Sequence, residues 1–194
     1  MSENNVIFDP ESHVYTVGGK SMPSVTKIIQ IAKPVDFSHV SEDVLERARV
    51  FGNSVHEASA LWDRGELDIF DLDPALAKPL DAWVRFKDQY KFIPTIIEEP
   101  MYSKKYGFVG TPDRIGTIGK DKVQVDIKTG QDSWSIDLQT AGYDILSPVK
   151  RRLIVFIPTD GNIKVRECSD RTDKTVFLSC LNIFNYRQRK ENKL

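Results

Sequence analysis

Apolar positions recur at two different periods along this 194-residue chain. Near the start, "VIFDPESHVYTVGGKSMPSV" alternates in short runs around Gly18-Gly19, which predicts short strands about a turn. "PSVTKIIQIAKP" reads as a short helix opened by Pro23-Ser24 and closed before Pro34. Over about 41–64 the spacing is three and four: Val44, Ala48, Phe51, Val55, Ala58 and Leu61 or Trp62 form one helical stripe, with Glu42 and Asp43 in the first turn after Ser41. "GELDIFDLDP" is an acidic loop, and a second helix over about 74–90 offers Leu76, Leu80, Trp83, Val84 and Phe86 to a core.

The period then changes. Residues 95–130 predict three strands, broken at "KKYG" and "GKDK". A helix over about 135–146 follows, then strands "RRLIVFIP" and "IKVREC" joined by "TDGN". A last helix over about 170–192 carries apolar Val176, Phe177, Cys180, Leu181 and Phe184 and ends basic, in "RQRKENK". This order predicts one α/β domain over 1–194, a central mixed β-sheet flanked by α-helices. Its parts are N-terminal strands with a short helix at 1–40, a core at 41–167 and a C-terminal helix at 168–194.

Composition adds bounds. Hydrophobic residues at 40% and charged residues at 28% describe a soluble globular chain. No apolar run reaches the roughly 18 residues of a membrane span and "MSENN" has no signal-peptide layout, so a cytoplasmic location is expected. Cys168 and Cys180 are too few for a four-thiolate site and read as small buried hydrophobes. The net charge of -1 conceals a division: residues 1–100 hold 10 Lys and Arg against 17 Asp and Glu, residues 101–194 hold 17 against 11. That lopsidedness is a weak pointer to a polyanionic partner.

The chemistry centres on "VDIKTG". On a strand Val125 and Ile127 share one face, and Asp126 and Lys128 the other. Asp113 in "GTPDRIG" and Glu98 in "IIEEP" precede them, and neighbouring strands would bring the three carboxylates to one end of a sheet. Three ionised carboxylates repel unless a cation lies between them, and hard oxygen donors suit Mg²⁺ or Mn²⁺. Beside such an ion Lys128 can act on a water or a phosphate oxygen.

Glu98, "GTPD" and "VDIKTG", in this order, resemble the PD-(D/E)XK nuclease superfamily in its RecB and lambda exonuclease-like, phage-type branch. "FGNSVHEA", with His56, and "QTAGY", with Gln139 and Tyr143, match the same branch, so the likeness runs from about Phe51 to Tyr143. It implies a restriction-endonuclease-like core and sequence-independent, metal-dependent exonuclease activity on DNA in recombination, repair or phage replication. It implies Mg²⁺ or Mn²⁺ held by His56, Glu98, Asp113, Asp126 and Ile127, with Lys128, Asp126, Asp113 and Glu98 catalytic. Gln139 and Tyr143 would lie along DNA. DNA is the implied partner, with a single-strand annealing or other recombination protein as a further partner class. Some relatives in this branch hold an iron-sulfur cluster with four cysteines; two cysteines exclude one here.

Each residue also has a structural explanation. Asp126 and Lys128 alone would be a surface pair worth at most about 1 kcal/mol. Asp113 could be a turn residue, although "FVGTPDRIG" lies in a strand pattern, and His56 a half-buried helix histidine. Glu98 is preferred to Glu99, which a continuous strand would turn to the opposite face. Lys104, Lys105, Lys150, Arg151 and Arg152, with Arg187, Arg189 and Lys190 in the tail, are solvated charges or else phosphate contacts that position DNA without reading it. The rival readings are a structure-specific or single-strand endonuclease with the same site, and a DNA-binding module that does not cut.

Overall fold

The computed structural model describes residues 6–9, 12, 14–32 and 40–191. The opening strands β1 (Val6–Asp9), β2 (Val14–Val17) and β3 (Lys20–Met22) form a three-stranded antiparallel sheet. Gly18 and Gly19, at φ 56° and 77°, make its second turn, a backbone that a side chain would strain. Helix α1 (Val25–Ile29) follows, capped by Ser24, whose Oγ accepts the N–H of Lys27 at 3.1 Å. A 3₁₀ turn continues it to Ala32, and its expected closure before Pro34 lies outside the described residues.

Helix α2 (Glu42–Arg64) ends at Gly65 in the left-handed conformation. Its stripe is buried only from Val55 onward; Val44 is 46% exposed and Ala48 is exposed, because the first turns extend past the core, and these two expected core positions are corrected. After the acidic loop, α3 (Ala77–Tyr90) buries Leu80, Trp83 and Phe86.

The main sheet contains β4 (Phe92–Ile97), β7 (Arg114–Ile118), β8 (Asp121–Lys128), β9 (Arg151–Phe156) and β10 (Lys164–Glu167), in the order β10-β9-β8-β7-β4. Between β4 and β7 a separate pair, β5 (Met101–Ser103) and β6 (Phe108–Gly110), stands apart. The three strands expected over 95–130 are therefore five. The chain leaves the sheet at Glu98 and again at 111–113, where the candidate carboxylates lie.

Strands β8 and β9 are parallel, the others antiparallel, so the sheet is mixed, and α4 (Trp134–Leu146) makes the crossover between them. Parallel neighbours need such a crossover, which puts a helix against a sheet face. Val123, Val125 and Ile127 of β8 pack with Leu153 and Val155 of β9 against Trp83 and Phe86 of α3 and Val55 of α2. The opposite face lies toward α4, where Ile136 meets Ile154 and Phe156. Helices α1, α4 and α5 (Asp173–Glu191) enclose a further cluster around Val25, Ile28, Phe108, Leu138, Phe177 and Leu181. A Cβ at Gly142 would stand 2.8 Å from Phe177 and 2.9 Å from Val25, so glycine there sets how closely these helices meet. Val176, expected in the core, is 43% exposed because it lies on the outer face of α5, next to the buried Phe177; the expected helix end at Asn192 lies outside the described residues.

Candidate active site

The carboxylates gather where β4 ends, β7 begins and β8 ends. The β7–β8 ladder stops at Arg114 opposite Val125. One residue earlier, the side chain of Asp113 extends it, its Oδ2 accepting the N–H of Ile127 at 2.7 Å. The N–H of Glu98 in turn donates to the main-chain oxygen of Asp113 at 3.1 Å. Asp113 is thus at a strand junction and not inside a strand, and its carboxylate is tied to the peptide between Asp126 and Lys128. Ile127 turns its side chain into the core, so only its main chain is available to the site.

Alternation along β8 places Gln124, Asp126 and Lys128 on the face toward α4. Asp126 is fully buried, not on an exposed strand face. Lys128 Nζ stands 2.6 Å from its Oδ2, yet neither carboxylate oxygen accepts a well-formed hydrogen bond. Burial raises the Asp126 carboxyl to about 6 against the pull of Lys128, and the Asp113 charge adds to the rise. For Lys128 burial acts to lower the ammonium, but Asp126 and Asp113 outweigh it and leave it above its ordinary value.

His56 comes from α2. Its helix passes close to the end of β8: a Cβ on Gly52 would stand 3.2 Å from Thr129 Oγ1. His56 Nδ1 lies 3.6 Å from Asp113 Oδ1 and 3.9 Å from Glu98 Oε1. Glu98 sits at φ 52°, in left-handed backbone, so it has left the strand and the face-alternation argument does not apply to it. Its carboxylate turns inward all the same, while Glu99 is exposed.

What holds Glu98 is a residue that sequence reasoning passed over. Arg114 is fully buried and donates through Nη1 to Glu98 Oε1 at 3.3 Å and to the main-chain oxygen of Asp113 at 2.7 Å. Nε donates to Asp63 Oδ2 at 2.7 Å and Nη2 to Ser59 Oγ at 3.0 Å. Asp63 also accepts from Trp83 Nε1 at 3.1 Å and pairs with Lys87. The signal available was the arginine in "PDRIG", a charge between two apolar strand positions.

The remaining candidates divide. Gln139 donates to the Tyr143 hydroxyl at 3.1 Å; the ring of Tyr143 is buried, and burial with the nearby Asp113 and Asp126 charges lifts its phenol well above its usual range. Lys104 and Lys105 are exposed at the β5–β6 turn. Lys150 pairs with Asp121 and Arg151 with Glu167 at the other end of the sheet, about 17 Å from Lys128 at roughly 3.3 Å per strand residue. Arg152 is corrected as an exposed basic contact: it is 7% exposed, and binds Asp173 at 2.6 Å and the main chain of Asp137 and Asp170. Cys168 and Cys180 are both free and buried.

A divalent cation fits this donor set in its chemistry. Among the described residues the two buried Asp126 oxygens have no well-formed hydrogen bond, and Lys128 is the positive charge that faces them, which leaves acceptor capacity that a divalent cation would use. As placed, however, no three His, Cys, Asp or Glu side chains among the described residues converge as a ready cation site, since Asp113 faces Ile127 and Glu98 faces Arg114. Among the described residues no helix is long and apolar enough to cross a membrane.

No family model matches the chain, and no curated protein does. Among solved structures, SSO0001 is similar over 54% of this chain and 54% of its own, at 16% identity and a TM-score of 0.37. An alkaline exonuclease (LHK-Exo) from Laribacter hongkongensis is similar over 86% of this chain and 92% of its own, at 16% identity and a TM-score of 0.40.

Proposed function

We propose that this chain is a metal-dependent deoxyribonuclease of the PD-(D/E)XK type, an exonuclease that hydrolyses phosphodiester bonds without reading sequence. The observation that carries the reading is Asp126: fully buried and, among the described residues, with no well-formed hydrogen bond to either oxygen and paired only with Lys128. A fold has little reason to bury a carboxylate in this way for stability.

In this reading Asp126, Asp113, Glu98 and His56, with the main chain of Ile127, hold Mg²⁺ or Mn²⁺. The ion, when bound, supplies Lewis acidity at the scissile phosphate and a more acidic water. In the metal-free site the Asp126 and Asp113 charges hold the Lys128 ammonium above its ordinary value, and Lys128 would supply a positive charge to the oxygen on which negative charge develops. Asp113 fixes the peptide of Ile127 and thereby the spacing of Asp126 and Lys128. Arg114 keeps Glu98 and the main chain of Asp113 in place from behind. The products would be a 5′-phosphate and a 3′-hydroxyl.

The test is incubation with 5′- and 3′-labelled single- and double-stranded DNA, with and without Mg²⁺. Stepwise release of nucleotides from one end is expected only with the ion. Full activity in excess EDTA would remove the metal from the reading. Cleavage of a closed circular single strand would make the enzyme an endonuclease, and binding without cleavage of any substrate would leave a DNA-binding module.

A further inference from the structure

Three segments far apart in sequence meet around one core and carry charge of a single sign. Residues 14–32, 100–110 and 174–190 hold eight Lys and Arg and no Asp or Glu. Their apolar side chains share a cluster, with Val25 and Ile28 of α1, Phe108 of β6 and Phe177 and Phe184 of α5 buried together and Tyr106 packed against them. Around that cluster Lys27, Lys104, Lys105, Arg187, Arg189 and Lys190 are exposed. Lys105 Nζ stands 4.9 Å over the Tyr106 ring, and Lys190 Nζ 5.5 Å over that of Tyr186. Among the described residues only Lys174 of the eight is paired with a carboxylate, Asp144 of α4 at 2.7 Å. The other carboxylates on the helices at this cluster are also occupied: Asp137 of α4 lies 2.7 Å from Arg166, and Asp173, at the start of α5, 2.6 Å from Arg152. Glu191 is the acidic residue at the end of α5, where three cations precede it. The cluster also borders the active site. Tyr143 belongs to it, and a Cβ on Gly110, three residues before Asp113, would stand 2.8 Å from Tyr143 and 2.9 Å from Val25, so β6 leads from the basic face into the site.

We propose that this α1–α5 face holds the DNA backbone several nucleotides away from the scissile phosphate; the inference rests on the nuclease reading above and names where that enzyme grips the rest of its substrate. Cations gathered on one face without counter-charges, in a chain of net charge -1, make a local field that draws in a polyanion. They are spread along a line and not around an apolar groove, which suits a linear polyanion that continues into the neighbouring site. Phe177 and Lys190 lie on one helix, about 20 Å apart at about 1.5 Å per residue. At about 3.4 Å per nucleotide of a duplex strand the face therefore reaches about six nucleotides along the backbone. Lysine and arginine ends on flexible stems neutralise phosphates without reading bases, which matches an enzyme that has no base-reading motif. The basic face then keeps hold of the polymer while β6 and the 111–113 segment bring one phosphodiester to Asp126 and Lys128.

The test measures binding by fluorescence anisotropy in EDTA, so that nothing is cut, with labelled single- and double-stranded oligonucleotides of increasing length over a range of NaCl concentrations. A chain carrying Lys27→Gln, Arg187→Gln and Lys190→Gln together is expected to bind long oligonucleotides about tenfold more weakly, with a plot of log affinity against log salt shallower by about two to three. The gain in affinity with length that the parent shows over about six nucleotides should disappear with it. Lys27→Arg, Arg187→Lys and Lys190→Arg together keep the charge and should restore affinity, slope and length dependence. Arg47→Gln, Lys78→Gln and Lys91→Gln remove the same charge from exposed positions on α2 and around α3, across the sheet, and should bind as the parent does. Equal weakening by both neutralised triples, or parental affinity and salt slope in the first, would overturn the face while leaving the nuclease reading intact. Selective weakening by the first triple in a protein that never cleaves in Mg²⁺ would uphold the face and overturn the nuclease reading instead.

Discussion

Asp113 and Ile127 are joined by a side chain acting as backbone: one residue before β7 begins, Asp113 Oδ2 accepts the Ile127 N–H at 2.7 Å and carries the β7–β8 ladder past its last main-chain pair. The two residues that flank Ile127 are Asp126 and Lys128, so one hydrogen bond sets the spacing of the site.

Asp113 consequently has a structural role beside the chemical one proposed for it, and its substitutions should separate the two. Asp113→Ala leaves the Ile127 N–H without its acceptor, a loss of about 1–3 kcal/mol. Asp113→Asn keeps an acceptor oxygen and should melt close to the parent. Both should lose nearly all cleavage. Urea unfolding of the two variants beside a cleavage assay checks this; an active Asp113→Asn would refute the chemical role.

Asp126 should give the metal-free protein an unusual pH dependence. Its folded-state value is raised from 3.8 to about 6, so between these limits the folded chain binds more protons than the unfolded one. Stability therefore falls as pH rises through this window and stays lower above it, by on the order of 2–3 kcal/mol. Denaturant midpoints measured in EDTA from pH 4 to pH 7 should show the decline in the parent and its absence in Asp126→Asn.

Arg114 is expected to be among the most sensitive positions. Removing it leaves Asp63, fully buried, with one guanidinium fewer, and loosens Glu98. Breaking a buried pair from one side costs about 3–5 kcal/mol. Arg114→Met should lower the unfolding free energy measured in urea by that order, and Arg114→Lys should recover only part, since a lysine cannot reach Asp63, Ser59, Glu98 and the Asp113 carbonyl together.

The neighbouring glutamates should differ sharply. Glu98→Gln is expected to be inactive, because this carboxylate faces His56 and Arg114, while Glu99→Gln, on an exposed side chain, should cleave nearly as the parent does. Initial rates on one labelled duplex decide it, and equal loss in both would exclude a specific role for Glu98.

The cysteines should be silent. Burial, helped by the Asp137 carboxylate, pushes the Cys168 thiol up to about 12, and burial raises Cys180 as well. At pH 8 neither should react quickly with a thiol reagent until the protein is unfolded. The purified protein should also lack the visible absorption of an iron-sulfur cluster.

Much of this was legible from residue spacing, and the misses share a cause. The helices at 42–64, 77–90 and 134–146 fall within three residues of expectation, since each has an apolar stripe at helical spacing, with Gly65 closing the first and Ser133 capping the third. The strands over 95–130 were under-counted because "TIIEEPMYS" and "FVGTPDRIG" keep a strand-like pattern across places where the chain turns out of the sheet to present Glu98 and Asp113. Arg114 with Asp63, 51 residues apart, and Arg152 with Asp173, 21 apart, were invisible because an ion pair between distant segments leaves no local pattern. Tyr15 and Phe8 were assigned to a strand correctly, but nothing in "VIFD" or "VYTV" indicates that their rings reach a cleft made by residues 53–113.

Helix α1 connects the aromatic sheet to the body of the protein, and it is seated against α4 and α5. During synthesis the first strands emerge early, yet α4 and α5, the helices that seat α1, are made more than a hundred residues later. Helix α1 therefore gains its α5 neighbour only after residue 173 has been synthesised, and chains arrested before it should leave the amino-terminal strands open to protease while chains that include α5 protect them, a difference that limited proteolysis of stalled ribosome complexes would read.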